Sequence, residues 1–125
     1  MELNSKEEIA QANILDNECI ELVFLRENIT LDIDEVKQGW QKAREIAPDK
    51  NKKILLKTGK WTLLENEAQT YVKNELKTWL AVAIVVDNLG QKIMGNFVIN
   101  MAAKRNSIKL FNDETLAKEW LKSIC

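Results

Sequence analysis

The apolar positions fall into two rhythms along this chain, and one stretch obeys neither. Residues 79–87, WLAVAIVVD, carry no charge before the last position, and residues 81–86 are apolar throughout. Without alternation of wet and dry positions, and with β-branched side chains concentrated in it, this run predicts a parallel-sheet strand covered on both faces. Asp87-Asn88 then breaks the run and offers a helix start. Residues 9–15 and 19–25 are shorter strand-like runs separated by Asp16-Asn17-Glu18. Ile20, Leu22 and Phe24 give the second of them one apolar face, and the two together read as a hairpin. KKILLKT at 52–58 and IKLF at 108–111 are further strands.

Helical spacing fills the intervals. Asp32 and Glu35 have the spacing of a capping box, with Leu31 and Val36 at the staple positions. Val36, Trp40, Ala43 and Ala47 then recur on one face until Pro48-Asp49, because the residue before a proline resists α geometry. Gly39 reads as a tolerated surface glycine, with a close approach beside Trp40 as the alternative. A second helix begins at Thr62 or Asn66 and runs to about Lys77, with Ala68, Val72, Leu76 and Tyr71 inward. A third covers residues 88–105. Leu89, Ile93, Phe97 and Met101 form a stripe that Met94, Val98, Ile99 and Ala102 widen, with no charge between Lys92 and Lys104. A face this wide predicts cover by more than a sheet: a twin subunit, an apolar ligand or a membrane surface. Asn96 and Asn100 share one side of it. A last helix is capped by Asn112 or Asp113, with Leu116, Trp120 and either Leu121 or Ile124 inward.

The resulting order predicts a single α/β domain over residues 1–125, with residues 1–8 flexible. Its sheet is mixed, opened by an antiparallel hairpin and continued by alternating helices and mainly parallel strands, about five strands and four helices in all. Lys plus Arg is 18 against 19 for Asp plus Glu, a formal charge of −1, which argues against nucleic acid as the main partner. Histidine is absent from the sequence, which removes the commonest neutral-pH base and the commonest zinc ligand. No metal, cofactor or catalytic residue is assigned, and an enzyme is not expected. Cys19 and Cys125 read as free thiols of a reducing compartment. With no leader pattern and no run of transmembrane length, the cytoplasm is the expected location. Thr58-Gly59-Lys60 lacks the rest of a phosphate loop. The lysines around residues 52–60 are expected to solvate the strand ends.

Binding residues are sought at the carboxyl ends of the strands, where α/β domains hold ligands and partners. Trp61 follows Lys57-Thr58-Gly59-Lys60 just past a strand. As a loop residue it is expected to be the most exposed of the four tryptophans, with Trp79 and Trp120 buried. It either anchors a protein contact, ringed by Lys60, Thr62, Glu65 and Asn66, or folds back over the helix carrying Tyr71. Asp87 ends the central strand. Phe97, Asn100 and Met101 on the third helix complete the candidate set.

AVAIVVDNLGQKIMGNFVI followed by IKLFNDETLAKEWL resembles the second half of bacterial STAS-like proteins related to anti-sigma-factor antagonists. The matching residues are Ala81 to Val86, Asn96-Phe97, Lys109 to Phe111, and Glu114, Ala117, Trp120 and Leu121. The resemblance implies a STAS-like fold over nearly the whole chain and a non-enzymatic regulatory or interaction module, whose partner is another protein or a twin subunit. It also carries a link to lipid-transfer-type domains, hence the alternative of a small apolar or lipid-like ligand carried against the helix 88–105. In the antagonists a serine at the start of the helix after the KKILLKT-type strand is phosphorylated, in a D-S-S-G context. Here that stretch is Leu64, Glu65, Asn66, Glu67, Ala68, with the serine position at Asn66 or Glu67, so the modifiable hydroxyl is missing.

Overall fold

In the computed structural model, which describes residues 8–16, 19–48, 52–102 and 107–124, the uncharged run forms a strand, Ala81–Val85, buried over its first four residues. A strand wet on neither face needs paired neighbours on both edges and cover on both faces. The described elements supply both. They are β1 (Ala10–Asp16), β2 (Cys19–Phe24), β3 (Thr30–Leu31), α1 (Ile33–Ile46), β4 (Lys53–Thr58), β5 (Leu63–Leu64), α2 (Asn66–Leu76), β6 (Ala81–Val85), α3 (Leu89–Ala102), β7 (Ile108–Phe111) and α4 (Glu114–Ser123). The main sheet has the order β1-β2-β4-β6-β7; β1 is antiparallel to β2 and every other pair is parallel. This is the mixed sheet with a leading hairpin that the sequence predicts. The pair β3–β5 was not expected, since two residues are too few for periodicity to reveal. The start of the chain at residues 1–7, the turn residues Asn17 and Glu18, Lys104, Arg105 and Cys125 lie outside the described residues.

Alternation along the strands divides the core. Ile20, Leu22, Phe24, Ile54, Leu56, Val82 and Ile84 face α1, α2 and α3, whereas Cys19, Leu55, Ala81 and Ala83 face α4. At the head of α1 the Asp32 carboxylate accepts from the Glu35 N–H at 2.9 Å and the Glu35 carboxylate accepts from the Asp32 N–H at 3.0 Å, closing the capping box. Val36, Trp40 and Ala43 are fully buried below it. Gly39 is not a surface glycine. A Cβ there would lie 2.4 Å from the Phe24 ring and 3.1 Å from the Ala10 Cβ, so its missing side chain is what lets α1 settle on the hairpin. Trp40 and Trp79 meet with ring centres 6.2 Å apart, and the Arg44 guanidinium lies 4.3 Å from the centre of the Trp79 ring.

The far face differs from expectation in two places. The inward residues of α4 are Ala117 and Leu121; Leu116 is 51% exposed and Trp120 only half-buried, 5.7 Å from Phe111. Ala81 and Ala83 are small, so the helix approaches the sheet closely and a small residue suits the contact better than an indole. Replacing Trp120 with alanine is therefore expected to cost about 1–2 kcal/mol, less than the 3–5 typical of a fully buried aromatic. Urea unfolding checks this, and a loss above about 3 kcal/mol would place Trp120 at the centre of the packing after all.

Lys53 is the second departure, because it does not solvate a strand end. It is buried, and its ammonium donates to the carbonyl of Leu121 at 2.7 Å and to that of Ile124, at the carboxyl end of α4. The Leu121 carbonyl also accepts from the Ile124 N–H at 3.2 Å, and the helix dipole at this end favours a cation. Lys57, also read as a solvating lysine, pairs instead with Glu114 at 2.8 Å and Glu21 at 3.5 Å.

Candidate functional site

Three connections leave the carboxyl ends of β2, β4 and β6, and main-chain bonds fasten the first two together. Parallel pairing of β3 with β5 joins Thr30 to Leu63 and Leu31 to Leu64. The Asn28 N–H donates to the Lys60 carbonyl at 2.9 Å, and the Leu63 N–H to the Ile29 carbonyl at 3.0 Å. So close an approach needs a glycine. A Cβ on Gly59 would stand 2.2 Å from the Arg26 carbonyl oxygen.

Gln91, in the first turn of α3, ties the third connection to the second. It is buried, and its amide nitrogen donates to the carbonyls of Gly59 at 2.9 Å and Thr62 at 3.1 Å. Its amide oxygen accepts from the Asp87 N–H at 2.8 Å, and its own N–H is received by the Asn88 side chain at 3.0 Å. The Thr62 hydroxyl donates to the Arg26 carbonyl. Between these anchors Trp61 has a φ of 60°, in the left-handed region that a bulky residue adopts only at a cost of about 1–3 kcal/mol. The surrounding bonds hold the turn in that conformation, and the indole, 60% exposed, points away from the core.

An apolar surface continues from there. Leu63 is exposed, and its Cδ2 lies 3.9 Å from where a Cβ of Gly90 would be; the Leu64 N–H meets the Met94 sulfur at 3.3 Å. Beyond Gly90 the outer side of α3 presents Leu89, Ile93 and Phe97, exposed by 71%, 62% and 55%. The stripe read as needing cover beyond the sheet thus faces outward, apart from Met101, which is half-buried against the core. The inner face is Gln91, Gly95, Val98, Ile99 and Ala102. A Cβ on Gly95 would lie 2.8 Å from a Leu110 methyl, so the space beneath α3 leaves no room for larger residues at that turn.

The sequence-derived candidates separate accordingly. Trp61, Glu65, Asn66, Asp87, Phe97 and Asn100 are on the surface. Thr62 is fully buried and serves the turn, while Met101 is half-buried against the core. Glu65 occupies the N-cap of α2 without a side-chain capping bond. Reading the sequence missed Gln91, Asn28 and Leu63. Asn88 and Gln91 have the spacing of a capping box, which was the available signal for Gln91.

Two groups elsewhere, Tyr71 and Cys19, are held in their neutral forms. Burial, assisted by nearby Glu75, pushes the Tyr71 hydroxyl up to about 12. Cys19, on the opposite face beside a groove of about 500 Å³ between β1 and α4, has its thiol pushed up to about 11, chiefly by burial. At pH 8 its thiolate fraction is then roughly 100-fold below that of an ordinary cysteine. Iodoacetamide should label Cys19 at least that much more slowly in the folded chain than in denaturant. Peptide mapping distinguishes it from Cys125, and equal rates would show the thiol to be accessible and ionised. Among the described residues no three of His, Cys, Asp and Glu come together as metal ligands.

A hairpin-led parallel sheet with three helices on one face and one on the other is a STAS-like fold. Within that class the chain belongs to the DUF7793 family, a domain of unknown function, whose pattern matches residues 14–125. A crystal structure similar to it is that of an uncharacterised protein of the DUF3478 family with a SpoIIAA-like fold, from Shewanella loihica PV-4. The two share 16% sequence identity over 90% of this chain and 94% of the other, with a TM-score of 0.60. At that identity the likeness shows the fold alone. No curated protein matches the chain.

Proposed function

We propose that the chain is a non-enzymatic regulatory module that binds a protein partner at the carboxyl end of its parallel strands, with Trp61 as the anchor. The observation that carries this reading is the exposed indole at a φ of 60°, in a turn pinned by the buried Gln91. Backbone strain maintained by surrounding bonds is characteristic of binding sites, and tryptophan is the residue most enriched among interface hot spots. Leu63 extends the contact, and Lys60, Glu65 and Asn66 supply a polar rim. α2 opens with Asn66 and Glu67, so docking here is not gated by a phosphoserine of the antagonist type. The exposed side chains of α3 project outward rather than enclosing a space, which suits a macromolecular partner better than a small carried ligand. No described helix is long and apolar enough to cross a membrane.

Trp61→Ala is expected to leave circular dichroism and the urea midpoint nearly unchanged and to weaken partner binding by about 2 kcal/mol, roughly 30-fold. The partner is recovered with the wild-type chain and titrated by calorimetry. Undiminished affinity together with lowered stability would instead make Trp61 a packing residue.

A further inference from the structure

The outer face of α3 repeats one arrangement on both sides of its centre. Leu89 lies four residues before Ile93 and Phe97 four residues after, and all three are well exposed along a single ridge. We infer that this ridge is covered by α3 of a second copy of the chain, in an antiparallel contact whose two-fold axis passes at Ile93. The inference rests on the reading of this side of the molecule as a contact surface and names the occupant of its α3 part, leaving Trp61 to the other partner.

Symmetry is the first reason. A two-fold contact requires a patch complementary to itself. An axis at Ile93 sets each Leu89 against the partner's Phe97, so a large apolar group meets another at both ends and Ile93 meets its twin. Ridges of residues four apart interdigitate in the commonest mode of helix packing, at about −50°.

Charge is the second reason. In a two-fold contact every charge near the axis faces its own copy. Between Leu89 and Ala102 the one charged residue is Lys92, and it lies roughly 100° around the helix from Ile93, at the edge of the face. Beside the ridge stand Asn96 and Asn100, both exposed. An amide both donates and accepts, so it can pair with an identical group, as a carboxylate or an ammonium cannot. A partner recognised by charge would find nothing on this face to pair with.

Area is the third. Leu89, Ile93 and Phe97 expose a contiguous apolar ridge on the order of 350 Å², within the range of the largest patches that monomers leave uncovered and that are often functional. Asn96, Asn100 and the Lys92 stem extend it toward the roughly 800 Å² per partner of a standard interface. That size fits a dimer of micromolar strength rather than an obligate one.

Sedimentation equilibrium from about 1 to 100 μM, a range set by that micromolar expectation, tests the inference. The wild-type chain should be dimeric at the upper end and dissociate toward the lower. Ile93→Asp places two like charges at the axis and should weaken association at least 100-fold while leaving circular dichroism unchanged, since the replaced side chain is exposed. A second variant guards against misfolding. With Cys125→Ser as background, Ile93→Cys should give a disulfide-linked dimer on mild oxidation, whereas Leu116→Cys, exposed on the opposite face, should not. A monomeric wild-type chain at 100 μM, or a dimer that persists in Ile93→Asp, would overturn the inference. Trp61→Ala should remain dimeric. A monomeric wild-type chain that still needs Trp61 for its protein partner would remove the dimer and leave the proposed function standing; a dimeric chain whose partner affinity ignores Trp61 would do the reverse.

Discussion

Trp40→Ala is expected to lower the free energy of unfolding by about 3–5 kcal/mol, the range for an aromatic side chain removed from a close-packed core. Trp40 has no exposed surface, and it packs against Trp79, itself covered by the Arg44 guanidinium. Its indole N–H has no hydrogen-bond acceptor among the described residues, so truncation orphans no polar partner. The loss is then one of packing alone, and Trp40→Phe should recover much of it. On an ordinary stability of about 5–15 kcal/mol the alanine variant keeps a narrow margin. Urea midpoints of the two variants provide the check; equal losses for phenylalanine and alanine would mean that the N–H, not the ring, is what the site requires.

Gln91→Leu should cost about 3 kcal/mol, for a different reason. Leucine fills a similar volume, but it deprives the Asp87 N–H and the carbonyls of Gly59 and Thr62 of their buried partner. Each unsatisfied group costs about 1–3 kcal/mol, moderated where water reaches it. The effect should also be local. Amide exchange at residues 60–63 is expected to accelerate more than exchange in β4 or β6, because these bonds restrain the turn and not the strands. If stability falls while exchange in the turn stays slow, the β3–β5 pairing alone holds Trp61 in place.

Much of the architecture was legible because local signals agreed with one another. The uncharged run at 79–87, the capping box at Asp32 and Glu35 and the hairpin signal each marked an element that is present. The errors share a physical origin, which is the size of the opposing surface. Helical periodicity places large apolar residues inward, yet both α3 and α4 lie so close to their neighbours that small residues occupy the contact. Gly95 against Leu110 leaves α3 with an inner face of small residues and Gln91, Val98 and Ile99, and Ala117 over Ala81 and Ala83 displaced Leu116 and Trp120 outward. Gly39 was misread for the same reason, since the ring it accommodates belongs to Phe24, far from it in sequence. Trp61 was legible as an exposed loop residue. Its conformation was not, because the groups that impose it, on Arg26, Asn28 and Gln91, come from two other connections.

The pairing of β3 with β5 bears on how such a surface can change over time. The bonds that join the connections there are made by the main chain, as at Leu63 to Ile29 and Glu65 to Leu31, and main-chain bonds do not depend on the identity of the side chains between them. Thr30, Leu63 and Glu65 all point into solvent from that frame. With Trp61 as the proposed anchor, substitutions at these positions would alter which partner is recognised while the indole beside them keeps its orientation. On that proposal the platform is insulated from the specificity it would display, and side chains on the frame could change without first rebuilding the turn.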